Sequence, residues 1–398
     1  MPALATSPVF AASIAARLPL AMLTIGMLVH VEHLTGSFAA AGLVSGTLAV
    51  AQGAGGPALG RLVDRRGQTA VLLAGALVAG AGLAATAALP AGAPLTALVA
   101  LAAVIGFATP PVGPCMRALL PGLVEDPEAQ RGAYAVDSAA VELTWVSGPP
   151  LVLLAGTAIS TAAALALAGA ILAVSTVGFA ATRASRSWRP EPEQAGHEST
   201  GALRSPGVRT LVLALGSAGL LFGATEVAVT ASADALGGTA AAAGPLLGLW
   251  GVGSLIGGIV VARGGGGARS GGGLAALLAV LAATHLALAT VTGSLIALAA
   301  VIVLAGSMIA PACATAYAMV DAAAPAGTTT EAFAWLATAI AIGTSAGAAA
   351  AGAVADAAGP APTFALAAAA GGVGAVLTAL RAGTLSPTAP APALATAC

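Results

Sequence analysis

Residues 60–69 read Gly-Arg-Leu-Val-Asp-Arg-Arg-Gly-Gln-Thr and join two apolar runs, at about 38–59 and about 69–89. A helix needs about 20 apolar residues to cross the roughly 30 Å hydrocarbon core of a bilayer, and each run has that length. The charged side chains of this region are confined to the turn between the runs. The stretch therefore predicts two membrane-spanning helices joined by a short charged loop.

The composition extends this prediction to the whole chain. Of the 398 residues, 58% are hydrophobic and 7% are charged, whereas soluble domains carry about 25% charged residues. Lipid permits α-helices or a closed barrel, and long unbroken apolar runs differ from the alternating pattern of barrel strands. We therefore expect an all-α membrane protein surrounded by the lipid bilayer. Its net charge of −1 gives no indication of a nucleic-acid partner.

Similar runs recur along the chain and predict about twelve transmembrane helices. Six cover approximately 11–31, 38–59, 69–89, 94–118, 132–155 and 159–182, and six cover approximately 207–230, 240–262, 271–291, 294–318, 331–355 and 361–381. The longest polar stretch lies between the two sets. It divides the chain into a six-helix bundle at 1–182, a cytoplasmic linker at 183–206 and a second six-helix bundle at 207–398.

The two sets of helices resemble each other faintly. Gly106 and Pro111 recur as Gly306 and Pro311, at an offset of 200. A near-constant offset is typical of transporters built from two parallel six-helix repeats. The sequence therefore predicts two pseudo-symmetric bundles.

The distribution of arginine predicts the orientation. All fourteen basic residues are arginine, and with a cytoplasmic N-terminus all of them except Arg17 and Arg117 fall in or beside the even-numbered loops, the linker and the C-terminal end. The loops on the far side contain none, which is the positive-inside pattern. We therefore predict a multi-pass protein with both termini in the cytoplasm, and we expect Arg17 at the cytoplasmic edge of the first span. The alanine, glycine and arginine usage is typical of a GC-rich genome and favours a bacterial plasma (inner) membrane.

The charged loop at 60–69 resembles the loop 2–3 signature of the major facilitator superfamily, in particular its drug and metabolite efflux members. This resemblance implies the twelve-helix fold and secondary transport by alternating access. It also implies a conformational latch formed by Gly60, Asp64, Arg65 and Gly67. The glycines permit close helix approach, and the aspartate is stabilised at a helix N-terminus. Gln-Thr-Ala at 68–70 replaces the basic residues that usually follow.

Two further signatures of the family are present in part. Arg117, near the cytoplasmic end of helix 4, matches the arginine of the helix-4 motif. Gly148 and Pro149 match the core of the antiporter-associated motif and predict a break in helix 5, although the flanking glycines of that motif are missing.

Charged side chains within the predicted spans are candidates for function, because burying a charge in the membrane costs about 2.5–3.5 kcal/mol. We expect Arg117 to pair with Asp137, and Glu142 to take up and release a proton. A structural role is the alternative for each of these residues. Glu226 lies towards the outer end of helix 7, where it lines either the cavity or the headgroup region.

Other polar residues have simpler interpretations. The cluster of His30, Glu32 and His33 either binds a metal or consists of solvated helix-end residues, and we expect the latter. His285 is expected to be packed or hydrogen-bonded. Asp321 and Glu331 read as solvated helix ends. We predict no metal and no cofactor.

The function that fits these features is proton-coupled efflux of a small molecule, with an apolar or amphiphilic substrate favoured because aromatic residues make up only 3% of the chain. The partners would be the substrate and protons, and the protein would be a monomer. The alternatives are an uptake symporter or facilitator of the same fold, and a non-transporting membrane receptor or assembly protein. We predict no enzyme activity, because the Gly-Thr-Ser-Ala-Gly run at 343–347 lies inside an apolar helix rather than at a strand-to-helix turn.

Overall fold

The computed structural model describes residues 7–189, 201–236, 243–264 and 267–385, and the regular elements in these ranges are helical. Twelve helices of this part of the chain are long and apolar enough to cross a membrane, which confirms the predicted number. They are α1 (Pro8–Thr35), α2 (Phe38–Arg66), α3 (Gln68–Ala87), α4 (Leu95–Leu123), α5 (Pro127–Ala158), α6 (Thr161–Ala181), α7 (Pro206–Ala235), α8 (Ala243–Arg263), α9 (Gly271–Leu288), α10 (Leu295–Ala323), α11 (Thr329–Ala358) and α12 (Pro360–Leu380).

Several helices begin earlier than the apolar runs indicate, because a polar residue followed by proline starts them. Ser7, Asp126 and Ser205 cap α1, α5 and α7, and each accepts a hydrogen bond from a backbone N–H of the first turn. Proline suits the next position because the N–H that it lacks would be unpaired there. These polar caps lie outside the apolar pattern, so hydropathy places the helix starts too late.

Three predictions about helix continuity were wrong. The fourth span is interrupted at 109–111, between Leu95–Ala108 and Val112–Leu123, where two consecutive prolines disrupt the backbone hydrogen bonding. The tenth span is likewise divided into Leu295–Gly306, Ile309–Ala318 and Val320–Ala323. By contrast, α5 continues through Gly148 and Pro149, where a break was expected.

The linker region is partly helical. It contains a short helix at Arg183–Ser187 and a single 3-10 turn at Ala202–Arg204. The predicted solvated linker also includes residues 190–200, which lie outside the described residues.

Helices α1–α6 pack mainly on one another, and so do α7–α12. The principal pairs are α1 with α5 and α6, α2 with α4, α3 with α6, α7 with α11 and α12, α8 with α10, and α9 with α12. We call these two groups the first half and the second half. The halves meet where α2 packs on α11 and where α5 packs on α8 and α10.

Glycines allow the closest helix pairs within the second half. A Cβ atom on Gly223 of α7 would overlap the carbonyl oxygen of Thr344 on α11, and one on Gly347 of α11 would overlap that of Leu220 on α7. Small residues four apart favour such packing in membranes, where van der Waals contact rather than the hydrophobic effect holds helices together.

Replacing Gly223 by alanine is therefore expected to lower the free energy of unfolding by about 1–3 kcal/mol, because α7 and α11 must move apart. Thermal unfolding of the purified protein in detergent measures the effect. Gly372→Ala on α12 is the matched control, since a Cβ atom there meets no atom within 4 Å. Equal unfolding temperatures for the two variants would contradict the close packing.

Candidate functional site

The polar contacts between the halves cluster at one end of the bundle. This end carries the turns α2–α3, α4–α5, α8–α9 and α10–α11, and we call it the arginine-rich end because Arg65, Arg66, Arg263 and Arg269 lie there. At its rim, Arg269 donates to Glu128 across 3.2 Å, and both side chains are exposed. Such an exposed pair contributes little stability.

Asp64 of the signature connects the first half to the start of α11. Its two carboxylate oxygens accept hydrogen bonds from the backbone N–H groups of Thr330 (3.0 Å) and Glu331 (2.8 Å). These N–H groups have no partner within their own helix, and the helix dipole adds a favourable field for a negative charge. Asp64 is buried, so the carboxylate ties α2 to α11 at a site protected from water.

The neighbours of Asp64 complete this contact. Arg61 donates two hydrogen bonds to Glu331, at 2.7 and 3.0 Å. A Cβ atom on Gly60 would lie 3.1 Å from the Glu331 backbone, so glycine permits the close approach. Gly67 ends α2 at a positive φ of 90°, and Arg65 lies exposed in the last turn of the helix. The expectation that Glu331 is solvated was wrong, since the residue is 1% exposed.

A buried group of three charges lies deeper in the first half. Asp137 of α5 forms an ion pair with Arg117 of α4, with 2.8 Å between Oδ2 and Nε. Its other oxygen lies 2.7 Å from Nη1 of Arg17 on α1. The predicted Arg117–Asp137 pair therefore forms, but Asp137 bridges two guanidinium groups. We call these three residues the charged triad.

Arg17 does not lie at the edge of the first span, as expected. It is 4% exposed and inside α1. The early start of this helix at Pro8 places Arg17 about 14 Å along its axis, since an α-helix rises about 1.5 Å per residue.

Three aromatic side chains lie beside the triad and connect the halves. The Tyr134 ring on α5 lies 6.0 Å from that of Phe333 on α11, which lies 6.1 Å from that of Tyr317 on α10. The Tyr134 hydroxyl donates to Asp321 at 3.0 Å, so Asp321 is not merely a solvated helix end. The Arg117 guanidinium lies over the Tyr317 ring, 3.8 Å from its centroid, a favourable cation–π geometry.

Glu142 lies at the next level, where α5 meets α8. Its carboxylate accepts a hydrogen bond from Ser254 Oγ at 3.0 Å. No arginine or histidine forms an ion pair with it within the ranges that the structure describes. One turn closer to the arginine-rich end, Gly258 of α8 packs against Ala139 of α5. Glu142 therefore lies beside the contact between α5 and α8, on its side away from the arginine-rich end.

Glu226 is exposed on α7. Its carboxylate has no hydrogen-bonding or ionic partner among the described residues. Gly219 and Gly223 of the same helix face α11, and Phe222 contacts Trp250 on α8, with 5.7 Å between ring centroids. On a helical wheel Glu226 falls between these two faces. Of the two positions expected for Glu226, the one in the cavity between the halves stays a prediction.

Gly148 and Pro149 serve packing within the first half. A Cβ atom on Gly148 would lie 2.7 Å from that of Ala21, so glycine allows α5 to approach α1. Pro149 cannot donate a backbone hydrogen bond, yet the helix continues past it.

Two histidines of the spans, His30 and His285, are buried and hydrogen-bonded. His30 is buried and contacts Thr161 Oγ1 (2.9 Å) and the Thr86 carbonyl (3.2 Å), so the expectation of a solvated residue was wrong. His285 donates from Nδ1 to the Leu281 carbonyl and accepts from the Trp250 indole, as predicted. No group of three metal-ligating side chains occurs in the described part of the chain.

Twelve spans in two packed halves, joined at one end through buried charges, define a membrane transporter. A family model described as Major Facilitator Superfamily matches residues 9–269. The chain belongs to the Major Facilitator Superfamily, as predicted, and is a transporter of small molecules rather than an enzyme. No curated protein matches the sequence.

Solved transporters share the fold. The human organic anion transporter MFSD10 is 17% identical, with 95% of this chain and 98% of that chain covered and a TM-score of 0.70. A bacterial homologue of the iron transporter ferroportin in an outward-facing state is 16% identical, with 94% and 98% covered and a TM-score of 0.73. The E. coli fucose:proton symporter FucP is 14% identical, with 94% and 96% covered and a TM-score of 0.69. At these identities the likeness shows the fold, and it confirms the predicted fold class.

Proposed function

We propose that this transporter exports a small molecule from the cell in exchange for protons, by alternating access. Residues 1–182 and 207–398 act as two bodies that rock against each other, joined by the linker at 183–206. The protein works as a monomer in the bacterial inner membrane, with both termini and the arginine-rich end in the cytoplasm. The absence of arginine from the described turns at the opposite end supports this orientation.

The position of the contacts between the halves supports alternating access. The polar contacts between the halves extend from the exposed Arg269–Glu128 pair to the Ser254–Glu142 hydrogen bond. Between α2 and α11 they extend to Thr338, whose hydroxyl donates to the Gly53 carbonyl at 3.0 Å. Beyond these levels the exposed Glu226 faces the space between the halves. This arrangement supports the proposal of a state that is closed at the arginine-rich end and open at the other. Release of the Asp64 contact would permit the opposite state.

Glu142 carries the proposal of proton coupling. It is ionisable, it lies inside a span, and its carboxylate accepts a hydrogen bond from the other half. When Glu142 is charged, Ser254 donates to a carboxylate, which is a stronger hydrogen bond than one to a neutral acid. A change of protonation at this residue therefore changes the strength of a contact that the conformational change must break.

The direction of transport is tested by untargeted metabolite profiling of cells and medium, in which a deletion strain is compared with its parent. Export predicts a compound that accumulates inside the deletion strain and is depleted from its medium. A compound left unconsumed in the medium would instead indicate uptake. Reintroducing the gene should restore the parental profile.

Replacing Glu142 by glutamine is expected to abolish the pH dependence of the conformational equilibrium. Glutamine resembles the protonated acid, so the variant should behave at every pH as the wild type behaves at low pH. Spin labels at Gly122 and Ala326, one on each half at the arginine-rich end, report the equilibrium as a distance distribution at pH 5 to 9. Glu125→Gln, an exposed residue outside the spans, is the control. A wild-type pH response in Glu142→Gln would exclude this residue as the proton site.

A further inference from the structure

The space between the halves contains a set of side chains whose chemistry selects a substrate. We propose that the substrate is a monovalent organic cation with an apolar or aromatic body, held between the Glu226 carboxylate and the indole of Trp145. This inference rests on the proposed transport function and adds the class of molecule that is carried.

Trp145 faces this space from α5. Residue 148 of that helix is packed on α1 and residue 139 on α8. Trp145 falls between these directions on the helical wheel, one turn from Glu142. The lipid-exposed leucines at 143, 151 and 154 fall on the opposite side of the helix. The indole is 55% exposed, so its ring is available to a ligand.

Glu142, Trp145 and Glu226 occupy neighbouring depths. A rise of about 1.5 Å per residue places them roughly 22, 27 and 30 Å from the arginine-rich starts of their helices. The proposed substrate would contact the aromatic ring and a carboxylate at this depth.

Two polar groups at or just below the depth of Glu142 have no hydrogen-bond partner among the described residues. Ser138 is 5% exposed, lies one turn below Glu142 on the same side of α5, and its hydroxyl has no hydrogen bond among the described residues. Gln52 lies on α2 between the sides that meet α4 and α11, and its buried Nε2 likewise has no partner there. Buried polar groups are usually hydrogen-bonded, so both indicate a site that a bound molecule or its water completes.

The charge of the region favours a cation. The charged triad contains two guanidinium groups and one carboxylate, and Glu142 in its ionised form balances the excess positive charge of the triad. Glu226 then leaves one negative charge, and the described residues at its depth include no arginine. A monovalent cation neutralises this charge, and tryptophan is the best aromatic partner for a cation. A metal ion is disfavoured because no group of three metal-ligating side chains is present among the described residues.

Tetraphenylphosphonium and tetraphenylborate test the inference, because these ions have nearly the same size and shape and opposite charge. Equilibrium binding of each to the purified full-length protein in detergent is measured by isothermal titration calorimetry. We expect the cation to bind and the anion not to bind. Glu226→Gln should weaken cation binding at least about tenfold, because a charged contact is lost, and Trp145→Ala about five- to thirtyfold. Glu125→Gln should leave binding unchanged.

Binding of the anion, or cation binding that is unaffected by both substitutions, would overturn the inference. So would a lack of binding of both ions. The spin-label response to pH separates this failure from failure of the transport proposal. If the spin-label distances respond to pH and Glu142→Gln abolishes this response, but the cation does not bind, only the proposed substrate class is refuted. Cation binding that depends on Glu226, without any conformational response, would refute only the transport mechanism.

Discussion

Replacing Asp137 by asparagine is expected to destabilise the protein by about 3–5 kcal/mol, the largest effect of any substitution considered for this chain. The carboxylate is fully buried and lies within 2.8 Å of both Arg17 and Arg117. Its loss leaves two guanidinium groups without a counter-ion at a site where water does not compensate. The measurement is the thermal unfolding temperature, together with the folded fraction recovered by size-exclusion chromatography.

Two matched variants make this prediction specific. Glu128→Gln removes a carboxylate from an exposed ion pair and should cost less than about 1 kcal/mol. The double variant Arg17→Gln/Asp137→Asn restores the wild-type net charge and should be more stable than Asp137→Asn alone, since contacting charges are not additive. Wild-type stability of the Asp137→Asn variant would show that Arg17 and Arg117 have another counter-ion.

Replacing Asp64 by alanine is expected to shift the conformational equilibrium away from the state closed at the arginine-rich end by about 2–3 kcal/mol, or roughly 30- to 150-fold. The variant loses two charge-assisted hydrogen bonds to the start of α11. The alternating cycle is then biased to one side, and transport should fall accordingly. Distances between spin labels at Gly122 and Ala326 should lengthen.

The neighbouring residues supply graded controls for Asp64. Asparagine at this position keeps an oxygen that can accept one hydrogen bond. The conformational equilibrium of Asp64→Asn should therefore lie between those of the wild type and Asp64→Ala. Arg61→Ala should shift the equilibrium by less than about 1 kcal/mol, because the Arg61 side chain is 50% exposed and solvent weakens its pair with Glu331. An Arg61→Ala shift as large as that of Asp64→Ala would show that the carboxylate at the helix start is not the principal contact.

Part of the candidate site could be predicted because it depends on local sequence. Asp64 lies in a recognisable pattern between two spans, and Arg117 and Asp137 are conspicuous charges at similar depth on adjacent helices. Arg17 was assigned the wrong position because the cap at Ser7 extends α1 beyond its apolar run. An arginine nine residues after a Ser-Pro helix start is a signal that could have located it.

Other members of the site could not be predicted from the sequence. Glu331 follows three threonines at the end of a loop and has the pattern of a solvated helix start, but Arg61, 270 residues earlier, covers it. Tyr134 and Tyr317 look like isolated aromatic residues in separate spans until Phe333 brings their rings together.

The sequence by itself determined that this chain crosses a membrane twelve times and belongs to a known transporter family. Both follow from properties read along the chain, namely the length of apolar runs, the segregation of arginine and one charged loop. Only the tertiary structure decided that Asp137 bridges two arginines, that Asp64 caps α11 and that Glu142 accepts a hydrogen bond from Ser254. These contacts join different helices, and their geometry depends on how each helix is rotated and packed against its neighbours. In a chain so rich in alanine and glycine, the apolar pattern of each span leaves that rotation undetermined.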